Sequence, residues 1–188
     1  MKVVGIVGSH RINGNTEFLT RYTLDAIGEE GIDAELIRLS GLDLSPCRGC
    51  GHCHTQESCA IDDGLYEIYL KMKAADGIIL ASPVYYGSAT ALIKALMERT
   101  GNIARWNGNV FAGKSGGPLA VARRAGVNLA IAQLTLWFQI QSCFVAGSTY
   151  WNVAFGGERG EVSNDDEGLK TARNFGKNLA FLMQKLAK

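Results

Sequence analysis

The chain has 188 residues, 47% of them apolar, with 19 Lys and Arg against 18 Asp and Glu. That length fits one domain, the apolar share is that of a globular protein, and the charge balance argues against a nucleic-acid partner or a polybasic membrane surface. The N-terminal MKVVGIVGSH lacks the apolar run of about 7–15 residues of a signal peptide. No stretch of about 20 apolar residues marks a membrane span, and the cytoplasm is the expected location.

Lys2–Val7, rich in Val, predicts a buried strand. A glycine-rich polar stretch follows, and Thr16–Glu30 then sets Phe18, Leu19, Tyr22, Leu24 and Ile27 near helical spacing. Asp33–Leu39 predicts a second strand, and Asp62–Ala74 a helix with Leu65, Ile68, Tyr69 and Met72 on one face. Gly77–Ala81 predicts a third strand, Ala89–Thr100 a third helix and Leu119–Ala122 a fourth strand. Val127–Gln141 contains the most apolar segment and predicts a buried helix. Phe144–Ala146 predicts a fifth strand, with Cys143 at its start as a small buried hydrophobe. Asp165–Ala187 predicts a closing helix, opened by an acidic pair and ended by Lys185 and Lys188, as the helix dipole favours.

Strands alternating with helices imply right-handed crossovers and a mostly parallel sheet. Short strands without internal alternation fit a sheet covered on both faces. The expected architecture is α/β, a three-layer, doubly wound, five-stranded parallel sheet in one domain spanning 1–188. Ligands of such sheets bind beyond the C-terminal ends of the strands, which directs attention to the loops after strands one, three and five.

The first loop runs from Gly8 to Thr16 as G-S-H-R-I-N-G-N-T. It is neither G-x-G-x-x-G nor a P-loop, since no Lys precedes Thr16. It opens onto a helix, whose N-terminus offers free N–H groups and the positive end of a dipole. Ser9, Asn15 and Thr16 add donors and Arg11 adds a charge, a set that suits a phosphate monoester. An N-cap with a glycine turn would use the same residues. The loop after strand three reads S-P-V-Y-Y-G-S-A-T from Ser82. Pro83 fixes φ, Gly87 permits close backbone approach, and Tyr85 and Tyr86 offer flat faces to a planar ring. Tyrosines packed on a neighbouring helix would look the same. After strand five, 147–157 is dense in aromatics and ends in Gly156-Gly157; it either closes over a ligand or makes a subunit contact. Arg123-Arg124, at the end of strand four, read as solvated charges.

Cys47, Cys50, Cys53 and Cys59 form C-x2-C-x2-C-x5-C in an insertion at about 45–61. Spacings of two let three sulfurs converge on one face of a cluster, as in bacterial ferredoxins. Gly49 and Gly51 permit that curl, and Cys59 closes the far side. Zinc, a redox disulfide and a cluster-free thiol set compete with this reading. His52 and His54, taken alone, read as loop residues.

The two loop sequences and the cysteine motif together resemble the iron-sulfur flavoprotein and NADPH-dependent FMN reductase family, over nearly the whole chain. Gly147, Trp151, Asn152 and Gly156-Gly157 resemble its iron-sulfur branch. The resemblance implies a flavodoxin-like fold of strand order 2-1-3-4-5 that binds FMN. The phosphate is expected on Ser9, Arg11, Asn13, Asn15 and Thr16. The ring is expected on Pro83, Val84, Tyr85, Tyr86, Gly87 and Ser88, with Trp151 in the third loop. A 4Fe-4S cluster on Cys47, Cys50, Cys53 and Cys59 would exchange single electrons with FMN. Ferredoxin or NAD(P)H as donor, a small-molecule acceptor and a homo-oligomer (dimer or tetramer) are the implied partners, the cluster of one subunit lying near the flavin of another. A cluster-free NAD(P)H-dependent FMN or quinone reductase is the alternative, and a pure electron carrier is a further reading. No acid-base residue is assigned.

Overall fold

A computed structural model describes residues 1–187; Lys188, expected at the end of the closing helix, lies outside the described residues. Strands β1 (Lys2–Val7), β2 (Asp33–Arg38), β3 (Gly77–Pro83), β4 (Ser115–Ala122) and β5 (Phe144–Val145) pair in parallel in the order β2-β1-β3-β4-β5. A sixth strand, β6 (Val153–Phe155), pairs with β4 farther along. Helices α1 (Asn15–Gly28) and α5 (Asp166–Leu186) cover one face, and α2 (Leu65–Ala74), α3 (Ala91–Trp106) and α4 (Val127–Ile140) cover the other. Alternate strand residues feed the two cores. Val4, Ile6, Ile78 and Leu80 pack with Leu65, Leu96 and Phe138, whereas Val3, Ile79 and Leu119 pack with Leu19, Phe175 and Leu179. The result is the expected three-layer flavodoxin-like sandwich. No helix among the described residues is long and apolar enough to cross a membrane.

Four expectations need correction. First, β4 begins at Ser115, ahead of Gly116-Gly117-Pro118, rather than at Leu119. Gly116 O accepts from Ala146 N and Ala120 N donates to Asn152 O, so the even-numbered residues of β4 face the sheet edge. Pro118, which has no N–H, therefore falls where that edge is broken between β5 and β6. Second, the fifth strand is split: β6 lies inside the stretch read as the third loop. Third, α4 is buried on one side only. Val127, Ala130, Leu134 and Phe138 point inward, while Leu129, Leu136 and Ile140 are exposed. The helix α3 also runs past Thr100 to Trp106, because Gly101 lets Trp137 and Gln141 of the neighbouring segment approach.

Cys143 is half-buried, with its thiol directed at Phe111 O (3.3 Å). Burial pushes this thiol up to about 11 from 9.0, against the nearby Lys114. A group whose pKa is higher in the folded state stabilises the fold below its unfolded value, and that contribution is lost as pH rises through the folded one. Between pH 9 and 11 the wild type is expected to lose about 1–2 kcal/mol that Cys143→Ala does not lose. Denaturant midpoints of the two proteins across that range measure the difference.

Candidate functional site

The register of β1 on β3 sets Val7 level with Ala81, so the loops leaving both strands meet. Gly8 N donates to Ala81 O at 2.8 Å, and Thr90 Oγ1 donates to Gly8 O at 2.6 Å. A Cβ on Gly8 would stand 2.6 Å from Ile93 Cβ, so glycine is what allows this approach. The loop then folds back. Arg11 N donates to Ser9 Oγ (3.1 Å), and Asn13, at φ 54°, donates its N–H to Glu17 Oε2 (3.0 Å). The nearly buried Glu17 is itself gripped by Arg38 at 2.7 Å and Arg21 at 3.1 Å. Its bond to Arg38, opposed by burial and helped by Asn13 N–H, holds the carboxyl below the usual range. Helix α1 starts behind Gly14, which offers no side-chain cap. Its first N–H groups thus remain for an anion.

Ser9, Arg11, Asn15, Thr16, Pro83, Val84 and Tyr85 line one cavity of about 150 Å3, together with Val121, Arg123, Gly156 and Gly157. Arg123 is exposed, yet it lines this cavity and is no mere solvated charge. It lies over Gly157, where a Cβ would meet its Cγ at 2.9 Å. From the other side Arg11 Nη1 donates to Gly157 O (3.3 Å). Asn15 acts as a clamp: Nδ2 donates to Glu158 O (2.7 Å), and Oδ1 accepts from Gly160 N (2.8 Å). Gly156 sits beneath this clamp, where a Cβ would stand 2.5 Å from Val162 N and 2.9 Å from Asn15 Nδ2.

Asn13, Tyr86, Gly87, Ser88 and Trp151 are not in the cavity lining. Tyr86 and Gly87, at φ 50° and 75°, form the tip of a turn in which Tyr85 and Ser88 exchange both backbone hydrogen bonds, at 2.9 and 3.0 Å. Positive φ at both central positions is a type I′ turn, and it costs a bulky residue about 1–3 kcal/mol. Tyr86 nonetheless stands fully exposed at that tip. Gln133 Oε1 on α4 anchors the turn by accepting from Ser88 Oγ (3.0 Å) and Ala89 N (3.1 Å). Trp151 is exposed beside Tyr150, ring centroids 4.9 Å apart, between β5 and β6.

All four motif cysteines line a second cavity, of about 70 Å3, between their loop and α3. Gly49 and Gly51 take φ 63° and 74°, the curl expected of them. Among the described residues no group of three or more His, Cys, Asp or Glu is gathered as for a metal ion. Cys50 is exposed, while Cys47, Cys53 and Cys59 are half-buried. Burial first, then the neighbouring Cys47, Cys50 and Cys59, pushes the Cys53 thiol up. His52 Nε2 lies 2.9 Å from Ser58 Oγ, and His54 packs at a tilt on Trp106, ring centroids 3.9 Å apart, so both histidines order the loop.

Helix α3 supplies residues that the sequence reading missed. Arg99 is only 2% exposed. Its Nε and Nη2 each donate to Cys59 Sγ at 3.2 Å, and Nη1 and Nη2 reach the Asp63 carboxylate at 2.6 and 2.9 Å. It also donates to Ser45 O (3.1 Å) and Ile61 O (2.9 Å). Burial works to raise the Asp63 pKa, but Arg99 and the N–H groups of Ser45 and Leu65 bring it below the usual range. Asn102 Nδ2 approaches Cys47 Sγ at 3.8 Å, and Asn107 Nδ2 donates to Cys53 O at 3.0 Å. The signal was present in the spacing: Arg99 falls on the apolar stripe of Leu92, Leu96 and Ile103.

The sheet order, the uncapped start of α1 and the loop after β3 define a flavodoxin-like domain with an open anion site at the strand ends. A family profile described as NADPH-dependent FMN reductase matches residues 1–158. An iron-sulfur flavoprotein of Methanocaldococcus jannaschii is 43% identical over 195 residues, covering 100% of both chains. An iron-sulfur flavoprotein of Methanosarcina thermophila is 35% identical over 191 residues, covering 100% of this chain and 98% of that one. Among solved structures, a flavone reductase superposes with TM-score 0.78 at 20% identity, covering 100% of this chain and 64% of that one. A WrbA-like flavodoxin from Agrobacterium tumefaciens gives 0.70 at 16% identity, covering 98% of each; these two likenesses speak to the fold. The chain belongs to the NADPH-dependent FMN reductase family and is an FMN-dependent oxidoreductase.

Proposed function

We propose that this chain is an electron-transfer flavoprotein with two redox sites, FMN at the β1 and β3 loops and a 4Fe-4S cluster on Cys47, Cys50, Cys53 and Cys59. The observation that carries the reading is that all four cysteines of the motif line one cavity, closed from behind by a buried arginine. FMN when bound takes one or two electrons and a cluster takes one, so together they join single-electron donors to two-electron acceptors.

The residues of the first loop suit the phosphate: Ser9, Arg11 and Thr16 in the cavity, Asn15 as clamp, and Asn13 turning the loop. Arg123 adds a second cation at the rim. The cavity volume is below the roughly 300–1,000 Å3 of whole-ligand sites, which suits the phosphate end. The ring then lies outside, against Pro83, Val84, Tyr85, Tyr86, Gly87 and Ser88, with Trp151 on the neighbouring rim. The relatives named iron-sulfur flavoproteins support the cluster. Ferredoxin or NAD(P)H is the donor class in this reading.

The two sites sit at different levels of α3. Thr90 bonds Gly8 of the phosphate loop, and Arg99 bonds Cys59. Nine residues of helix separate them by roughly 14 Å along the axis. The exposed stripe Leu129, Leu136 and Ile140 of α4 spans the same interval. Leu129 lies beside Gly87, and Ile140 shares a groove with Cys47 and Gly49. A two-fold pair along this stripe would bring each cysteine loop to the other copy's tyrosine turn. Leu136→Asp is expected to convert the oligomer to monomer at micromolar concentration, with FMN and iron content unchanged; light scattering and cofactor assay measure both.

The proposal is tested by anaerobic purification with FMN, iron and acid-labile sulfide assays. About four irons and four sulfides per FMN are expected. FMN without iron would leave the NAD(P)H-dependent reductase, and zinc in place of iron would make the cysteine loop a structural site.

A further inference from the structure

We propose that Arg99 is a positioning residue of the cysteine site: its buried guanidinium closes the loop around Cys59 and donates the two N–H···S hydrogen bonds that set the potential of a cluster held there. The inference rests on the cluster reading above and goes beyond it by assigning the tuning group.

A buried guanidinium is costly unless every N–H finds a partner. The two Nη groups of Arg99 find oxygen partners in Asp63, Ser45 O and Ile61 O, all within 3.1 Å, but Nε has none. Instead Nε and Nη2 converge on a sulfur, each at 3.2 Å. A thiol sulfur is a weak acceptor, so this use of two cationic donors is favourable chiefly when the sulfur carries negative charge, as a metal-bound thiolate does. Position points the same way. Arg99 occupies a place on the buried stripe of α3 where Leu or Ile would pack without a desolvation cost.

The contacts also shape the loop. Ser45 precedes the first cysteine, and Ile61 and Asp63 follow the last, so one side chain ties both ends together. Ser45 N adds a bond to Asp63 Oδ2 at 3.0 Å. Cluster reduction adds negative charge next to Cys59. A fixed cation with two donors on that sulfur favours the reduced form and raises the potential. Neutral N–H···S donors from Asn102 assist at Cys47 only distantly, at 3.8 Å.

The test uses the full chain with Arg99→Lys and Arg99→Gln, prepared anaerobically beside the wild type. Cluster potential is followed by EPR and flavin potential by visible absorbance in the same samples. Full FMN binding certifies the fold. Both variants are expected to hold a cluster of lower potential, Arg99→Gln the lower, with the FMN potential unmoved. Iron loss to a chelator should be faster by about ten-fold or more in Arg99→Gln. If Arg99→Gln does not fold, Arg99→Lys decides the question. Wild-type cluster potential and wild-type iron loss in the folded variants would overturn the inference and leave the cluster intact. A wild type that carries FMN but neither iron nor sulfide would instead overturn the cluster reading, and the inference with it.

Discussion

Cys53→Ser is expected to leave an anaerobic preparation with FMN bound in full but with less than about one iron per chain, against about four in the wild type. Cys53 is the last of the three closely spaced cysteines, and it faces the cavity that Cys47, Cys50 and Cys59 also line. Its backbone is fixed independently of any metal: Asn107 Nδ2 holds Cys53 O at 3.0 Å. The serine variant therefore changes the ligand atom and little else, replacing a soft sulfur with a hard oxygen. The phosphate loop, roughly 14 Å away along α3, keeps its own hydrogen bonds. Cys143→Ser serves as the contrast. That thiol stands outside the loop, against Phe111 O, and its loss should not change the iron count. Iron and sulfide assays on the two variants, with the visible spectrum as the FMN reference, read the outcome.

The second large effect is expected at Gly156. Gly156→Val should weaken FMN binding by about 100-fold or more, while iron content stays at the wild-type level. A side chain there collides with Val162 N and Asn15 Nδ2, so the segment 156–160 must lift from α1. Three contacts leave with it: Arg11 to Gly157 O, and Asn15 to both Glu158 O and Gly160 N. Those contacts hold Arg11, Asn15 and Gly157 in the cavity lining, so their loss displaces the residues that would meet the phosphate. Arg123→Ala acts more narrowly, through charge alone. It should weaken FMN by about ten-fold and leave riboflavin, which lacks the phosphate, nearly unaffected. Fluorescence quenching of the two flavins by apoprotein measures both variants.

The strand order and the first two loops were legible because their signals are local. Lys2–Val7 ends at the loop that opens α1, and Gly77–Pro83 ends at the tyrosine turn. Strand-end placement alone then locates a ligand site. The cysteines were legible by spacing, and Gly49 and Gly51 adopt the positive φ that the curl demanded. The rest depended on partners far along the chain. Arg123 becomes a cavity residue only because Gly157 passes beneath it, and Gly157 arrives there through β6, a three-residue strand hidden in an aromatic loop. Gly116, Gly117 and Pro118 carried the local mark of a turn, but a close helix and a broken sheet edge make them strand. The apolar run in α4 predicts a buried helix, but composition carries no direction, and its outer residues form the exposed stripe. Arg99 was the costliest omission. An arginine on a helix is ordinarily a surface group, but its spacing with Leu96 and Ile103 places it inside.

The most direct measurement is an anaerobic reductive titration of the purified protein, counting electrons against bound FMN. Two redox sites predict about three electrons per FMN, two taken by the flavin and one by the cluster, with loss of a broad absorbance separate from the flavin bands. Complete reduction at about two electrons per FMN, with no absorbance beyond the flavin's, would contradict the account.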